Sequence, residues 1–206
     1  MLKAKLLGKL CHAAAFALLA CFTATSFAGK QAEEALGDSV RAALSSALND
    51  QAPPRVQHAD VQSRIAYLKW VGDRDVMLAK RRKEMRHAAR VDLLETVYYE
   101  AKRAGLEPEL VLGLIQVESG FKSHAISHAD ARGLMQVMPF WTRVIGDGDA
   151  KKLSDPHINV RYGCMILRHY LDIEKGNLFR ALGRYNGSLG LAEYPNAVLA
   201  AWRVWK

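Results

Sequence analysis

Pro108-Glu-Leu-Val-Leu-Gly-Leu-Ile-Gln-Val-Glu118-Ser-Gly-Phe121 is the stretch on which the fold turns. Pro108 is placed for the first turn of a helix, where its missing N–H costs nothing. Leu110, Val111, Leu112, Leu114, Ile115 and Val117 then make the helix apolar almost all round, the mark of a helix at the centre of a core. Glu118 stands at its end, with Leu114 and Ile115 one turn back on its own face. Hydrocarbon around a carboxyl disfavours its charged form and raises its pKa, which keeps a glutamic acid protonated near neutral pH for use as a general acid. Periodicity alone also allows a glutamate that simply points to water at a helix terminus.

Upstream, Val91, Leu94, Val97, Tyr98 and Ala101 form one helical stripe, and Gly105 sits where that helix would end in a left-handed residue. Downstream, Tyr194 to Trp205, with Val198, Leu199, Ala201 and Trp202, reads as a closing helix. Between Gly29 and Arg90 the chain is rich in Ala, Gln, Asp and Arg and is broken by Pro53-Pro54. Val61, Ile65, Leu68 and Val71 fall there at helical spacing. These patterns predict helices in order: a mobile start and a helical arm over 29–90, then a domain over 91–206.

Composition agrees with one domain and an appendage: 206 residues, 24% charged, 50% hydrophobic and six prolines. It excludes a disordered tail, a collagen and a disulfide scaffold. Of three cysteines, Cys11 and Cys21 lie in a leader over residues 1–28, where Lys3, Lys5 and Lys9 precede an apolar run from Leu10 to Phe22 and small residues stand at Ser26 and Ala28. That is the pattern of a secretory signal peptide cleaved after Ala28. Leu18-Leu-Ala-Cys21 offers an alternative, a lipobox whose cysteine would be acylated and held in a membrane. Cys164, among Gly163, Met165, Ile166 and Leu167, reads as a buried inert thiol. Loss of the leader removes three lysines and no acid from 29 basic and 21 acidic residues, leaving a net charge of +5. A mildly cationic exported chain suits an anionic partner such as cell-wall polymer, membrane headgroups or nucleic acid, without identifying which. The sharpest basic cluster, Lys80-Arg-Arg-Lys83 with Arg86, His87 and Arg90, spreads around a helix and reads as a solvated face, and no nucleic acid is expected.

Two constellations look like metal sites and are not taken as such. His124 and His128 are four apart, but the residues between them lack the glutamate of H-E-x-x-H. Asp147-Gly-Asp149 lacks the remaining ligands of a calcium loop and reads as a surface turn.

Around Glu118 the residue types assemble into longer elements. Glu118-Ser-Gly-Phe121, Ala125-Ile-Ser127 and Ala131-Arg-Gly-Leu-Met-Gln136-Val-Met-Pro139 are followed by Asp155-Pro-His-Ile-Asn159 with Gly163, and then by Ala181-Leu-Gly-Arg-Tyr185-Asn-Gly187. In order and spacing these elements resemble the catalytic core of bacterial soluble lytic transglycosylases of the Slt type, over about residues 92 to 202. The chain departs from that pattern in two places. Asp130 stands where the family has glycine, in a turn where Asp tolerates a left-handed backbone. Gly187 replaces alanine, which adds backbone freedom to the loop.

The resemblance implies an all-α, lysozyme-like domain with a cleft for a peptidoglycan strand. Glu118 is then the catalytic acid, and Ser127, Gln136, Met138, Tyr185 and Asn186 line the cleft, offering hydroxyl, amide, thioether and aromatic groups to N-acetylated sugars. Ser119 has no base beside it and is assigned a structural hydrogen bond. No metal or cofactor is implied. The expected protein is a periplasmic monomer that cuts between N-acetylmuramic acid and N-acetylglucosamine; a lysozyme-like hydrolase and a non-catalytic wall binder are the alternatives. Glycosidases commonly use two carboxylates. Only Glu118 is matched as one here, with Glu107, Glu109, Asp130 and Asp155 the other acids nearby. A lone acid implies ring closure by the substrate's own C6 hydroxyl and an anhydro product.

Overall fold

The computed structural model describes residues 31, 33–49 and 56–206, so the leader and both of its cysteines lie outside the described residues. The architecture is all-α. In chain order the helices are α1 (Asp38–Asn49), α2 (Val61–Arg81), α3 (His87–Arg103), α4 (Pro108–Glu118), α5 (Phe140–Ile145), α6 (Pro156–Ile173), α7 (Leu178–Asn186) and α8 (Glu193–Trp205). A 3-10 turn at Ala150–Ser154 leads into α6.

Helix α4 is the core, as its all-round apolar sequence demands: Leu110, Val111, Leu112, Leu114 and Ile115 are buried. Its closest neighbour is α8. A Cβ on Gly113 would stand 2.7 Å from the backbone nitrogen of Trp202, so glycine is what lets the two helix axes approach there. The predicted punctuation is present. Gly105 ends the turn after α3 at φ +66°, Pro108 opens α4, and the Asp155 carboxylate caps α6 by accepting from the N–H groups of His157 and Ile158 at 2.9 and 3.1 Å. At the start of α2, Asp60 and Ser63 exchange hydrogen bonds in a capping box.

The segment before residue 90 is bound closely to the domain. Tyr67 and Trp70 of α2 meet the Tyr98 ring edge-on, with centroids 4.9 and 5.0 Å away. The indole N–H of Trp70 donates to Glu109 at 2.5 Å. Leu44 and Leu48 of α1 enter the common core, and the guanidinium groups of Arg103 and Arg161 donate to the carbonyls of Ala47 and Leu48. Glu100, 3% exposed, lies between those two arginines and neutralises them. Helix α3 begins at His87, so the change of composition near residue 90 falls inside its first turn. A helix shows no seam where its exposed face changes character.

The basic cluster is only in part a solvated face. Arg81 lies over the Trp205 ring at 4.7 Å, Arg82 donates to the Gly120 carbonyl at 2.8 Å, and Arg90 pairs with Asp75 at 2.5 Å. Arginine's planar fork makes these contacts while its stem packs on apolar surface. Gly187 also differs from its sequence reading. It caps α7 in the left-handed region at φ +74°, with its N–H on the carbonyls of Arg184 and Gly183, so it defines the helix end. Among the described residues, no helix is long and apolar enough to cross a membrane.

Candidate active site

The last turn of α4 brings Glu118 into the interior with only 5% of its surface exposed. The chain must then reverse at once, and Gly120 and Phe121 both take positive φ, +55° and +64°. Phe121 is a poor residue for that conformation. It is held by burial, packed edge-on against Trp205 at 5.5 Å, while Arg82 grips the carbonyl beside it. Ser119 takes the structural role assigned to it: its hydroxyl reaches the carbonyls of Leu134 at 2.7 Å and Ile115 at 3.2 Å, tying the end of α4 to the next loop.

That loop, residues 125–139, is a small folded unit of its own. Isolated antiparallel bridges join Ile126 to Arg132 and Arg132 to Val137. Asp130 and Gln136 turn the chain at φ +64° and +48°, so aspartate does occupy the left-handed position expected of it. Asn159 of α6, wholly buried, holds the loop from behind by accepting from Met135 N at 2.8 Å and donating to the carbonyls of Arg132 and Leu153. Gly133 and Gly163 are small for this reason. A Cβ on Gly133 would lie 2.3 Å from the Asn159 amide, and one on Gly163 would lie 2.3 Å from the Met135 sulfur.

Each residue singled out from the sequence has a definite place. The Ser127 hydroxyl accepts from the N–H groups of Ala129 and Ala131 at 3.2 and 3.0 Å, which leaves its own proton to donate. Gln136 is buried, and its amide donates to the carbonyls of Gly133 and Ala125, so its carbonyl oxygen is what remains for a ligand. Met138 is half-buried against the core. Tyr185 is 1% exposed and its hydroxyl donates to the Met135 carbonyl at 2.8 Å, which makes it a support for the loop more than a surface group. Asn186 is buried at the end of α7.

One residue in contact with Glu118 escaped the sequence reading. Tyr194, in the first turn of α8 and also buried, donates its hydroxyl to Oε1 of Glu118 at 2.5 Å. In the sequence it looked like one more apolar position of a closing helix, because a contact across 76 residues leaves no local pattern.

The electrostatics follow from this cage. Burial pushes the Glu118 pKa up to about 8, opposed by the Tyr194 hydrogen bond, which favours the charged form. The acid is therefore neutral at pH 7. Since Oε1 accepts from Tyr194, the proton belongs on Oε2, which has no hydrogen-bond partner among the described residues. Burial also holds the hydroxyls of Tyr185 and Tyr194 well above their ordinary range, and the nearby Glu118 charge adds to it.

The other nearby acids have different tasks. Glu107 faces Lys206 at 3.5 Å. Glu109 is held by Arg74 and Trp70, Asp130 pairs with Arg132, and Asp155 caps α6. Of these acids, Glu118 is the one that burial holds neutral.

Residues 95–194, from α3 to Tyr194, match the transglycosylase SLT domain. That stretch is similar to this domain. Among curated proteins, the membrane-bound lytic murein transglycosylase C of Actinobacillus pleuropneumoniae is 43% identical over 75 residues, 32% of this chain and 20% of that protein. The transglycosylase of Enterobacteria phage PRD1 is 34% identical over 100 residues, 48% of this chain and 36% of that protein. An inactive mutant of the lytic transglycosylase Slt from Pseudomonas aeruginosa aligns in structure at 26% identity with a TM-score of 0.48, covering 53% of this chain and 23% of that one. The matched stretches are thus a fifth to about a third of each relative's length. Glu118, Ser127, Gln136, Met138, Tyr185, Asn186 and Tyr194 all fall within the matched stretch; α1 and α2 precede it.

Elsewhere, His124 and His128 lie in the turn-rich segment between α4 and α5. Asp149 caps the 3-10 turn and Asp147 accepts from the N–H of Asp149. Cys164 is buried with its pKa raised by desolvation, an unreactive setting.

Proposed function

We propose that this chain is a lytic transglycosylase that cleaves peptidoglycan between N-acetylmuramic acid and N-acetylglucosamine and leaves 1,6-anhydromuramic ends. The observation that carries this reading is the Glu118 carboxyl, buried and neutral, while Glu107, Glu109, Asp130 and Asp155 are occupied elsewhere. The names of the relatives support the substrate class.

Glu118 delivers its Oε2 proton to the glycosidic oxygen as the bond to the anomeric carbon breaks, which releases the N-acetylglucosamine hydroxyl. The positive charge at the anomeric carbon is relieved by the substrate's own N-acetyl group. The C6 hydroxyl of the same sugar then attacks that carbon, and the ionised Glu118 takes its proton. Atoms balance without water, and the enzyme returns to its neutral form. Tyr194 steadies the carboxylate between the two steps, since its hydrogen bond strengthens when Glu118 is charged. Ser127, Gln136, Met138 and Asn186 bind the strand, with Tyr185 fixing the Met135 turn from behind. No metal or cofactor takes part.

The chain would act in the periplasm as a monomer after loss of residues 1–28, or on a membrane if Cys21 is acylated. Mass spectrometry of fragments released from purified peptidoglycan tests the reaction. Non-reducing anhydro ends, lighter by one water than hydrolysed ones, are the expected result. Ordinary reducing ends would establish a hydrolase instead, and release of nothing would leave a wall-binding protein.

A further inference from the structure

The amino-terminal segment reaches the edge of this site. Gln31 is buried, and its carboxamide is engaged at both ends: Oε1 accepts from the indole N–H of Trp141 at 2.9 Å, and Nε2 donates to the backbone carbonyl of Tyr185. Both partners belong to the site's own elements. Tyr185 immediately precedes Asn186 at the end of α7, and the backbone N–H of Trp141 donates to the Met138 carbonyl at 3.1 Å. The Tyr185 carbonyl is one of the last in its helix, where no further turn supplies a donor. Trp141 is 3% exposed, and an indole N–H so enclosed needs an acceptor. Without Gln31, one donor and one acceptor would face the same spot, which is the pattern complementary to an amide.

We propose that Trp141 Nε1–H and the Tyr185 carbonyl form a subsite for the acetamido group of an N-acetylhexosamine, and that Gln31 fills it as a competitor built into the chain. The inference rests on the glycan-cleaving reading above and adds to it a means of restraint. An acetamido group presents the same carbonyl and N–H as the Gln31 side chain, so one must leave before the other binds. Release is not costly. The neighbouring anchors are Glu33 to Arg143 at 3.3 Å and Glu34 to Arg184 at 3.6 Å, and all but Arg184 are half-exposed or more. Exposed pairs of this kind hold weakly and loosen further with salt.

The test uses the whole chain and its Gln31→Ala variant, titrated by calorimetry with three probes: the tetramer of N-acetylglucosamine, its fully deacetylated counterpart, and a wall stem pentapeptide. A competitor that occupies the site most of the time weakens binding by the reciprocal of the open fraction. The variant should therefore bind the acetylated tetramer roughly three- to tenfold more tightly, and KM for soluble glycan strands should fall with kcat unchanged. Adding Trp141→Phe, which keeps the ring and removes the N–H, should cancel the gain. Equal or weaker binding by Gln31→Ala overturns the proposal, as does an equal gain with the deacetylated tetramer. A gain confined to the pentapeptide would assign the pair to a peptide amide and overturn it too. Cleavage of peptidoglycan by the unaltered chain is scored separately. Cleavage without the Gln31 effect removes the subsite alone, whereas absence of both cleavage and tetramer binding removes the glycan reading with it.

Discussion

The turn after Glu118 and the segment before residue 87 both brace the same catalytic candidate, yet they are written in the sequence in different ways. Residues 118–139 settle most of their polar groups among near neighbours: Ser119 with Leu134, Ser127 with Ala131, Gln136 with Gly133. The preceding segment works at long range, through Arg82 on Gly120 and Arg81 on Trp205. A unit closed by local hydrogen bonds constrains residue types at fixed spacing and so leaves a motif. A brace built from long side chains needs only a cation at about the right place.

If the contrast is sound, the largest effect belongs to Glu118. Glu118→Gln should cost at least ~1,000-fold in turnover, since general acid catalysis alone commonly supplies ~100- to 10,000-fold and one carboxyl serves both steps here. Its effect on stability should have the opposite sign. With a folded pKa of about 8 against an ordinary 4.5, the folded state holds a proton that the unfolded chain releases. The group's contribution is fully favourable below pH 4.5 and is lost as pH rises to 8, at about 1.4 kcal/mol per pH unit and at most about 5 kcal/mol in total. Glutamine does not titrate. Urea denaturation should find the variant more stable than the parent at pH 8 and nearly level with it at pH 4; a constant difference would contradict the buried acid.

Next comes the local unit. Asn159→Ala strips partners from Met135 N and from the Arg132 and Leu153 carbonyls in a fully buried place. Buried polar groups left unpaired cost ~1 to 3 kcal/mol each, so a loss of about 3 to 5 kcal/mol is expected by the same denaturation measurement. A loss below about 1 kcal/mol would mean that the loop does not depend on this anchor.

How far the sequence could be read follows the same division. Gly105, Pro108, Asp130 and Ser119 all do what their local chemistry suggested, because a helix end or a left-handed turn is decided by a few adjacent residues. The environment of Glu118 was legible in part. Leu114 and Ile115 announced the hydrocarbon, but the Tyr194 hydroxyl arrives from α8. The Arg81 and Arg82 contacts were read as a solvated face because a run of cations looks the same whether or not aromatic rings and carbonyls wait across the fold. Gly187 was read as loosening because the helix end that requires its positive φ is visible only in three dimensions.

Tyr194→Phe sharpens the comparison at intermediate size. Its hydrogen bond favours the charged form of Glu118, so its loss raises the Glu118 pKa further. A general acid works while protonated, and the alkaline limb of the kcat/KM profile should therefore move to higher pH. Maximal turnover should fall by about 10- to 100-fold, as expected when one charge-assisted hydrogen bond worth ~1.5 to 3 kcal/mol is lost. A limb that stays in place would show that Tyr194 does not act on the acid. The smallest effect is that of Arg82→Ala, which frees the Gly120 carbonyl and should cost about 1 to 2 kcal/mol in thermal stability with only a few-fold loss of activity. An activity loss as large as that of Glu118→Gln would erase the distinction between motif and brace.

The central claim is that one buried glutamic acid is neutral at physiological pH and ready to give its proton. Carbon-13 NMR of the side-chain carboxyl, assigned by the signal missing from Glu118→Gln, reads that state directly. A resonance that remains protonated at pH 7 and titrates with a midpoint near 8 is the predicted result. A midpoint near 4.5 would contradict the account, since Glu118 would then be ionised under working conditions with no proton to deliver.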